Sequence, residues 1–160
     1  MAVTKTPRYE AYATIVGAFA GGLGLAGAAA RHLDRNPACQ TPLDFLILSA
    51  ASFKAARTLA RDEVTSFLRD PFVEGAAHEG DENPVASGDY RQAIGELVTC
   101  SRCVGTWAAA GLATTQILMP RFGRLLTWSL AAAGANDWLQ AGFAALTERA
   151  NDLEESRASG

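Results

Sequence analysis

The stretch AYATIVGAFAGGLGLAGAAA, from Ala11 to Ala30, decides how this sequence folds. Its twenty residues carry no charge, and as a helix they cover about 30 Å, the thickness of the hydrocarbon core of a bilayer. A buried helix of a water-soluble protein seldom has such a long uncharged run. The stretch therefore predicts a transmembrane helix over 11–30, preceded by an N-terminal tail over 1–10.

A signal peptide is the competing interpretation of this stretch, because Lys5 and Arg8 precede it and three alanines end it. The apolar core of a signal peptide is roughly 7–15 residues long, and the longer run favours a retained helix. Within the run, Gly17 and Gly21 stand four residues apart, as small residues do where two membrane helices pack closely. General enrichment of glycine in membrane helices explains that spacing equally well.

Two further apolar runs lie in the C-terminal half. VGTWAAAGLATTQILM (Val104–Met119) is uncharged, and Leu125–Thr147 is interrupted only by Asp137 among ordinary polar residues. They predict transmembrane helices over 104–119 and 124–147, followed by a polar tail over 148–160. A short basic connection containing proline and glycine separates them, which suits a tight antiparallel hairpin.

The stretch PLDFLILSAASFKAARTLA (Pro42–Ala60) also predicts a helix. Its first half is apolar enough to insert, whereas Lys54 and Arg57 lie one turn apart near its end. Such a helix either spans the membrane or lies in its interface. The net charge of −3 and the lack of a basic stripe argue against a nucleic-acid partner. No strand-like alternation and no phosphate-binding glycine loop occur in the sequence.

The segment 61–103 is predicted to carry short amphipathic helices on either side of an acidic loop. Asp62 is placed to cap a first helix, which Pro71 ends. The loop 74–88 is acidic and lacks a hydrophobic period, so we expect it to be solvated, and its carboxylates fit no calcium-loop spacing. Asp89 is placed to cap a second helix that leads into two cysteines.

The distribution of lysine and arginine predicts which side of the membrane each segment occupies. If 42–60 spans, eight of these residues flank one side and four the other; if it does not, the count is ten to four. In both arrangements the richer side holds the 61–104 segment and the C-terminus, which predicts a cytoplasmic location for both. Only the side of the N-terminus differs between them.

Cys100 and Cys103 form a C-x-x-C pair just before the second long apolar run. Cytoplasmic thiols stay reduced, which argues against a structural disulfide. At the positive end of a helix Cys100 would be stabilised as a thiolate, and the pair would cycle as a dithiol. A metal site needs about four ligands, and the other soft candidates are Cys39, His32 and His78. Packing of small residues at a helix entrance is the favoured interpretation, with redox and metal chemistry as alternatives.

Asp137, beside Asn136, falls near the middle of the last apolar run. A lone carboxylate in hydrocarbon is costly, so we expect it to face protein or water and to find a partner. Lys54 and Arg57 are the available cations if the helix over 42–60 packs alongside. An internal polar bond or ion pair is the favoured interpretation, and a proton or ion path is the alternative.

The chain contains three segments that belong together: RTLARDEVTSFLRDPF (Arg57–Phe72), AIGELVTCSRCVGTW (Ala93–Trp107) and NDWLQAGF (Asn136–Phe143). In order and spacing they resemble the bacterial membrane proteins catalogued as domain of unknown function 1360, over about residues 43–146. The resemblance implies a multi-helix membrane protein with common roles for Asp62, Arg69, Cys100, Cys103 and Asp137. It implies no activity, and Ser101 stands where the family usually has a proline between its cysteines.

The sequence thus predicts an all-α polytopic membrane protein with three transmembrane helices and a fourth that spans or lies in the interface. Its expected place is the cell membrane, and its expected partners are the lipid bilayer, further copies of itself and other membrane proteins. A non-enzymatic scaffold or accessory role without a cofactor is favoured. The alternatives are a membrane thiol protein that uses Cys100 and Cys103 and, more weakly, an ion path through Asp137.

Overall fold

The computed structural model describes residues 9–75 and 80–158, apart from the side chains of Cys39 and Ala158. These residues are predominantly helical, which confirms the predicted all-α class. The helices are α1 (Tyr9–His32), α2 (Pro42–Arg61), α3 (Ser66–Arg69), α4 (Tyr90–Thr99), α5 (Ser101–Leu118) and α6 (Pro120–Ala158). Three 3₁₀ turns lie between them, at Pro37–Cys39, Glu63–Thr65 and Asp70–Phe72. Lys5, Arg8 and His78 lie outside the described residues.

Local capping explains where several helices begin. At the start of α2, Thr41 and Asp44 form a capping box, in which each side chain accepts a hydrogen bond from the other's backbone N–H. Asp89 caps α4 by accepting from the N–H of Arg91, as predicted. The predicted cap at Asp62 is wrong, because its side chain makes no capping hydrogen bond. The segment that follows it is two 3₁₀ turns around the single turn of α3.

A two-residue antiparallel ladder lies in the segment predicted to be an irregular acidic loop. Strand β1 (Val73–Glu74) pairs with β2 (Asn83–Pro84), with Val73 opposite Pro84. Strands this short leave no alternation in the sequence, which is why the pattern missed them.

The four long helices form the body of the molecule. α2 packs against both α5 and α6, which also contact each other, and α1 joins through α5. The buried residues are mostly small, such as Ala51, Ala56 and Ala60 on α2. At Gly134 of α6 an added Cβ would lie 3.3 Å from the carbonyl oxygen of Ala50, so α2 and α6 cross at close range. Because the core consists mostly of small residues, many large apolar side chains lie outside it.

The direction of each long helix follows from contacts at its ends. α3, the ladder and α4 lie together in residues 62–100, which we call the α4 end, and α5 starts directly from α4. Tyr12 near the start of α1 donates a hydrogen bond to Glu96 of α4. At the opposite end, Arg124 of α6 lies 3.2 Å from Asp44 of α2. α1 and α5 therefore run away from the α4 end, and α2 and α6 run toward it.

Only one helix in the described residues, α1, is long and apolar enough by composition to cross a membrane. The three predicted transmembrane helices are thus not supported by composition alone. Small and polar residues lower the mean hydropathy of α5. α6 contains Asn136 and Asp137 and ends in a charged segment. α6 already begins at Pro120, so the residues predicted to connect the two helices lie within α6, and only Met119 separates α5 from α6. Residues 148–158, predicted to be a polar tail, continue the helix.

Candidate functional site

Arg69 lies at the centre of the α4 end and is 1% exposed. Its Nη1 donates to the carbonyl oxygens of Leu59 at 2.8 Å and Asp62 at 3.2 Å, and to Oγ1 of Thr65 at 3.0 Å. The last carbonyls of a helix lack intrahelical donors and form the negative end of its dipole. The guanidinium of Arg69 therefore caps the C-terminal end of α2, and Asp62 takes part through its backbone.

Glu82 supplies the charge that balances this buried arginine. Its Oε2 accepts a hydrogen bond from Nε of Arg69 at 3.0 Å. Nη2 is 2.8 Å from the same oxygen but is poorly directed for a hydrogen bond, so it adds mainly charge attraction. The side chain of Glu82 is 10% exposed, which corrects the expectation that the acidic loop is simply solvated. The pair ties the residue before β2 to the end of α2.

α4 is seated on the ladder by close backbone contact. A Cβ added at Gly95 would overlap the carbonyl oxygen of Phe72, so only glycine fits there without movement. That carbonyl accepts a hydrogen bond from the N–H of Val85 at 3.1 Å. Arg91 donates from Nε to the carbonyl oxygen of Pro71. Arg69 and α4 thus both contact the residues around the ladder.

Cys100 is the single residue between α4 and α5. Its Sγ accepts a hydrogen bond from the backbone N–H of Cys103 at 3.3 Å, so the cysteine caps α5. The two sulfur atoms are 2.6 Å apart, and neither is in a disulfide. Cys103 is exposed and Cys100 is half-buried. The pair faces outward at the start of a helix of eighteen residues.

The surroundings of the two thiols separate their acidities. The hydrogen bond from the Cys103 thiol lowers the pKa of Cys100 below its ordinary value of 9.0, and the N–H of Cys103 and the charge of Arg102 act in the same direction. Partial burial opposes these effects. The pKa of Cys103 is raised, chiefly because its proton is shared with Cys100. Cys100 is therefore the better thiolate of the two.

Of the other candidate metal ligands, His32 and Cys39 lie far from this pair, and His78 lies outside the described residues. His32 ends α1, and Cys39 lies in the turn between α1 and α2, at the opposite end of the bundle from Cys100. Within residues 9–75 and 80–158, no three histidine, cysteine or acidic side chains gather as a metal site would require.

Lys54 and Asp137 do meet, where α2 crosses α6. Nζ of Lys54 lies 2.8 Å from Oδ2 of Asp137, and the two side chains are 22% and 46% exposed. Arg57 instead places its guanidinium over the ring of Phe53, 6.0 Å from the centroid. Asn136 is exposed. The predicted intramembrane polar group thus resolves into one ion pair, with Arg57 beside it.

Comparison with known proteins places these features in a family. The chain is 30% identical over 104 residues to the UPF0713 protein YngL of Bacillus subtilis (strain 168), covering 61% of this chain and 76% of the relative. It is 32% identical over 117 residues to the Sporulation protein YjcA of the same organism, covering 61% and 95%. No solved structure matches. The model of the proteins of unknown function DUF1360 matches residues 47–143. As the resemblance predicted, the chain belongs to the DUF1360 family.

Proposed function

We propose that this protein is an integral membrane scaffold whose four long helices cross the bilayer and whose α1 packs against another membrane protein or a second copy. The observation that carries the proposal is the position of α1. Only 6% of the residues in its most apolar stretch of eighteen are buried, although the composition of the stretch suits a bilayer. A water-soluble protein would bury such a helix, because exposed apolar surface of this extent favours association.

The other long helices support a lipid environment. Large apolar side chains point outward on α2 and α6, including Leu46, Leu139, Phe143 and Leu146, each more than 60% exposed. The buried positions between helices hold mostly alanine and glycine. This distribution suits a bilayer, where lipid covers large side chains and small residues let helix backbones approach.

The directions of the helices support four crossings rather than three. α2 runs antiparallel alongside α5, between the α4 end and the opposite end, so it occupies the same layer as its neighbours. The start of α1 then shares a side with the α4 end. In this arrangement eight lysines and arginines flank one side and four the other, which supports a cytoplasmic location for the N-terminus, the α4 end and the C-terminus.

α6 is longer than a bilayer is thick. Its 39 residues give a length of about 58 Å, against about 30 Å of hydrocarbon. The apolar part would cross the membrane, and the charged end after Thr147 would continue into the cytoplasm as a helix.

The scaffold role rests on the open side of α1. No atom from another part of the described chain lies within 4 Å of a Cβ placed at Gly17, Gly21 or Gly24. Small residues at this spacing let a second helix approach closely. Because residues 9–75 and 80–158 leave that side uncovered, we assign it to a neighbouring helix from another molecule.

Membrane insertion is tested by washing isolated membranes with alkaline carbonate. We expect the full-length protein to stay in the pellet and to be released only by detergent. Topology is tested with single-cysteine variants that retain Cys39 or Cys100. An impermeant maleimide on intact cells should label Cys39 alone, and both after lysis. A folded, monodisperse protein in the detergent-free supernatant would overturn the proposal.

The scaffold role is tested separately by photo-crosslinking in native membranes. A photoreactive residue at Gly21 should produce a covalent protein adduct, identified as a homodimer or a specific neighbour by mass spectrometry. The same residue at Leu139, on the outward side of α6, serves as the control and should react with lipid. If neither position gives a protein adduct, the scaffold role is rejected while membrane insertion stands.

A further inference from the structure

We propose that Cys100 and Cys103 form a thiol–disulfide exchange site at the α4 end, which takes disulfides of other proteins as substrates. This site is independent of the scaffold role of α1. Its defining features are the arrangement of the two sulfur atoms, the exposure of Cys103 and the helix junction that holds the pair.

The junction fixes both sulfur atoms with little freedom. Cys100 ends α4 and caps α5 without any intervening loop. Its sulfur is held 3.3 Å from the N–H of Cys103 and 2.6 Å from the second sulfur. An internal disulfide between them therefore requires only a small adjustment rather than a change of fold.

The exposure of the pair argues against a purely structural role. A cysteine that serves as a small packing residue is usually buried, whereas Cys103 is exposed. The exposed Arg102 stands between them and adds positive charge beside the sulfurs. A partially exposed cysteine in a positive environment at a helix N-terminus is the setting in which thiols react.

The exchange proceeds in two steps. The Cys100 thiolate attacks one sulfur of a partner disulfide; a bond between Cys100 and the partner forms, the partner's disulfide bond breaks, and one partner thiolate leaves. Cys103 then loses its proton to solvent and attacks Cys100, which forms the internal disulfide and releases the second partner sulfur as a thiolate. The partner gains two electrons and this protein loses two. The reverse exchange with a dithiol partner restores the reduced pair.

The test uses the full chain in detergent, with Cys39→Ser in every variant so that only this pair reacts. Glutathione disulfide is the probe. The intact pair should form an internal disulfide, with a mass lower by two hydrogens and no lasting adduct. Cys103→Ser should instead accumulate one glutathione adduct at Cys100. Because serine is a preferred helix cap, Cys100→Ser should stay folded by circular dichroism and should react more slowly than Cys103→Ser at neutral pH.

The substrate class is tested in cells. With Cys103→Ser, non-reducing gels of acid-quenched membranes should show mixed disulfides with proteins, which dithiothreitol removes and the double serine variant lacks. Equal reaction rates of Cys100→Ser and Cys103→Ser with glutathione disulfide would overturn the proposal. Stoichiometric zinc that is bound by the intact pair and lost in Cys100→Ser would overturn it as well, in favour of a metal site.

Discussion

The guanidinium of Arg69 and the carboxylate of Glu82 meet at 2.8 Å in a site where their side chains are 1% and 10% exposed. The same guanidinium bonds the last carbonyls of α2. One side chain therefore joins the end of a long helix to the residue that precedes β2. This contact therefore helps to hold the α4 end, which includes Cys100, against the end of α2.

Removing either partner should destabilise the protein strongly. Arg69→Met or Glu82→Gln leaves one member of a buried ion pair without its partner, which typically costs about 3–5 kcal/mol. The measurement is the free energy of unfolding in detergent, followed by circular dichroism. Arg61→Met is the control, because Arg61 is exposed in the last turn of the same helix, and its effect should stay within about 0.5 kcal/mol. An equal effect of Arg69→Met and Arg61→Met would contradict this account.

The Lys54–Asp137 ion pair distinguishes a lipid environment from water. In a bilayer, Asp137→Asn leaves Lys54 charged near the hydrocarbon, and unfolding should become easier by roughly 2–3 kcal/mol. At an aqueous surface the same pair would contribute only about 0–1 kcal/mol. Asn136→Ala, at the neighbouring exposed position, is the matched control.

A double variant separates the pair from its members. Lys54→Met combined with Asp137→Leu removes both charges and should restore most of the stability that Asp137→Asn loses. The measurement is the melting temperature in lipid nanodiscs, compared with the two single variants. If the loss of stability in the double variant equals the sum of the losses in the two single variants, the two side chains act independently.

Substitutions at Gly95 and Gly111 test whether α4 packs as closely against Phe72 as the structure indicates. An added methyl at Gly95 overlaps the carbonyl oxygen of Phe72, whereas at Gly111 it meets no other described residue within 4 Å. Both glycines lie inside helices. Gly95→Ala should therefore destabilise by about 1–3 kcal/mol through overpacking, and Gly111→Ala should stabilise by about 0.5–1 kcal/mol. Similar changes in melting temperature for Gly95→Ala and Gly111→Ala would refute the close packing of α4 against Phe72.

The parts of the fold that could be predicted from the sequence are the long uncharged segment and a helix with a local cap. The uncharged run at 11–30 lies within α1, and the cap at Asp89 begins α4 where expected. These features are local, because helix formation and capping depend on residues within one or two turns. The possible pairing of Lys54 with Asp137 was also accessible, since few ionisable residues interrupt the apolar runs.

Contacts between residues far apart in the sequence could not be predicted in this way. Glu82 looked like one acidic residue in a polar loop, and its partner Arg69 lies thirteen positions earlier without any helical spacing between them. Nothing in the neighbouring sequence indicates that position 95 requires glycine, because the requirement comes from the carbonyl oxygen of Phe72. Asp62 likewise contributes its backbone carbonyl, which accepts a hydrogen bond from Arg69, and no side-chain cap.

Asp89 should make the start of α4 sensitive to acid. Its carboxylate accepts hydrogen bonds from the Ser87 hydroxyl and from the N–H of Arg91, and these bonds, that of Ser87 foremost, lower the pKa of Asp89 below its ordinary 3.8. Because the folded pKa lies below the unfolded one, the stabilisation is fully present above about pH 4 and is lost as the pH falls through the folded pKa. Hydrogen-exchange protection of the Arg91 amide, corrected for the intrinsic rate, should fall in that window. Asp89→Asn keeps an amide oxygen as the cap and should show no such change, so an identical pH response in the variant would contradict the role of the carboxylate.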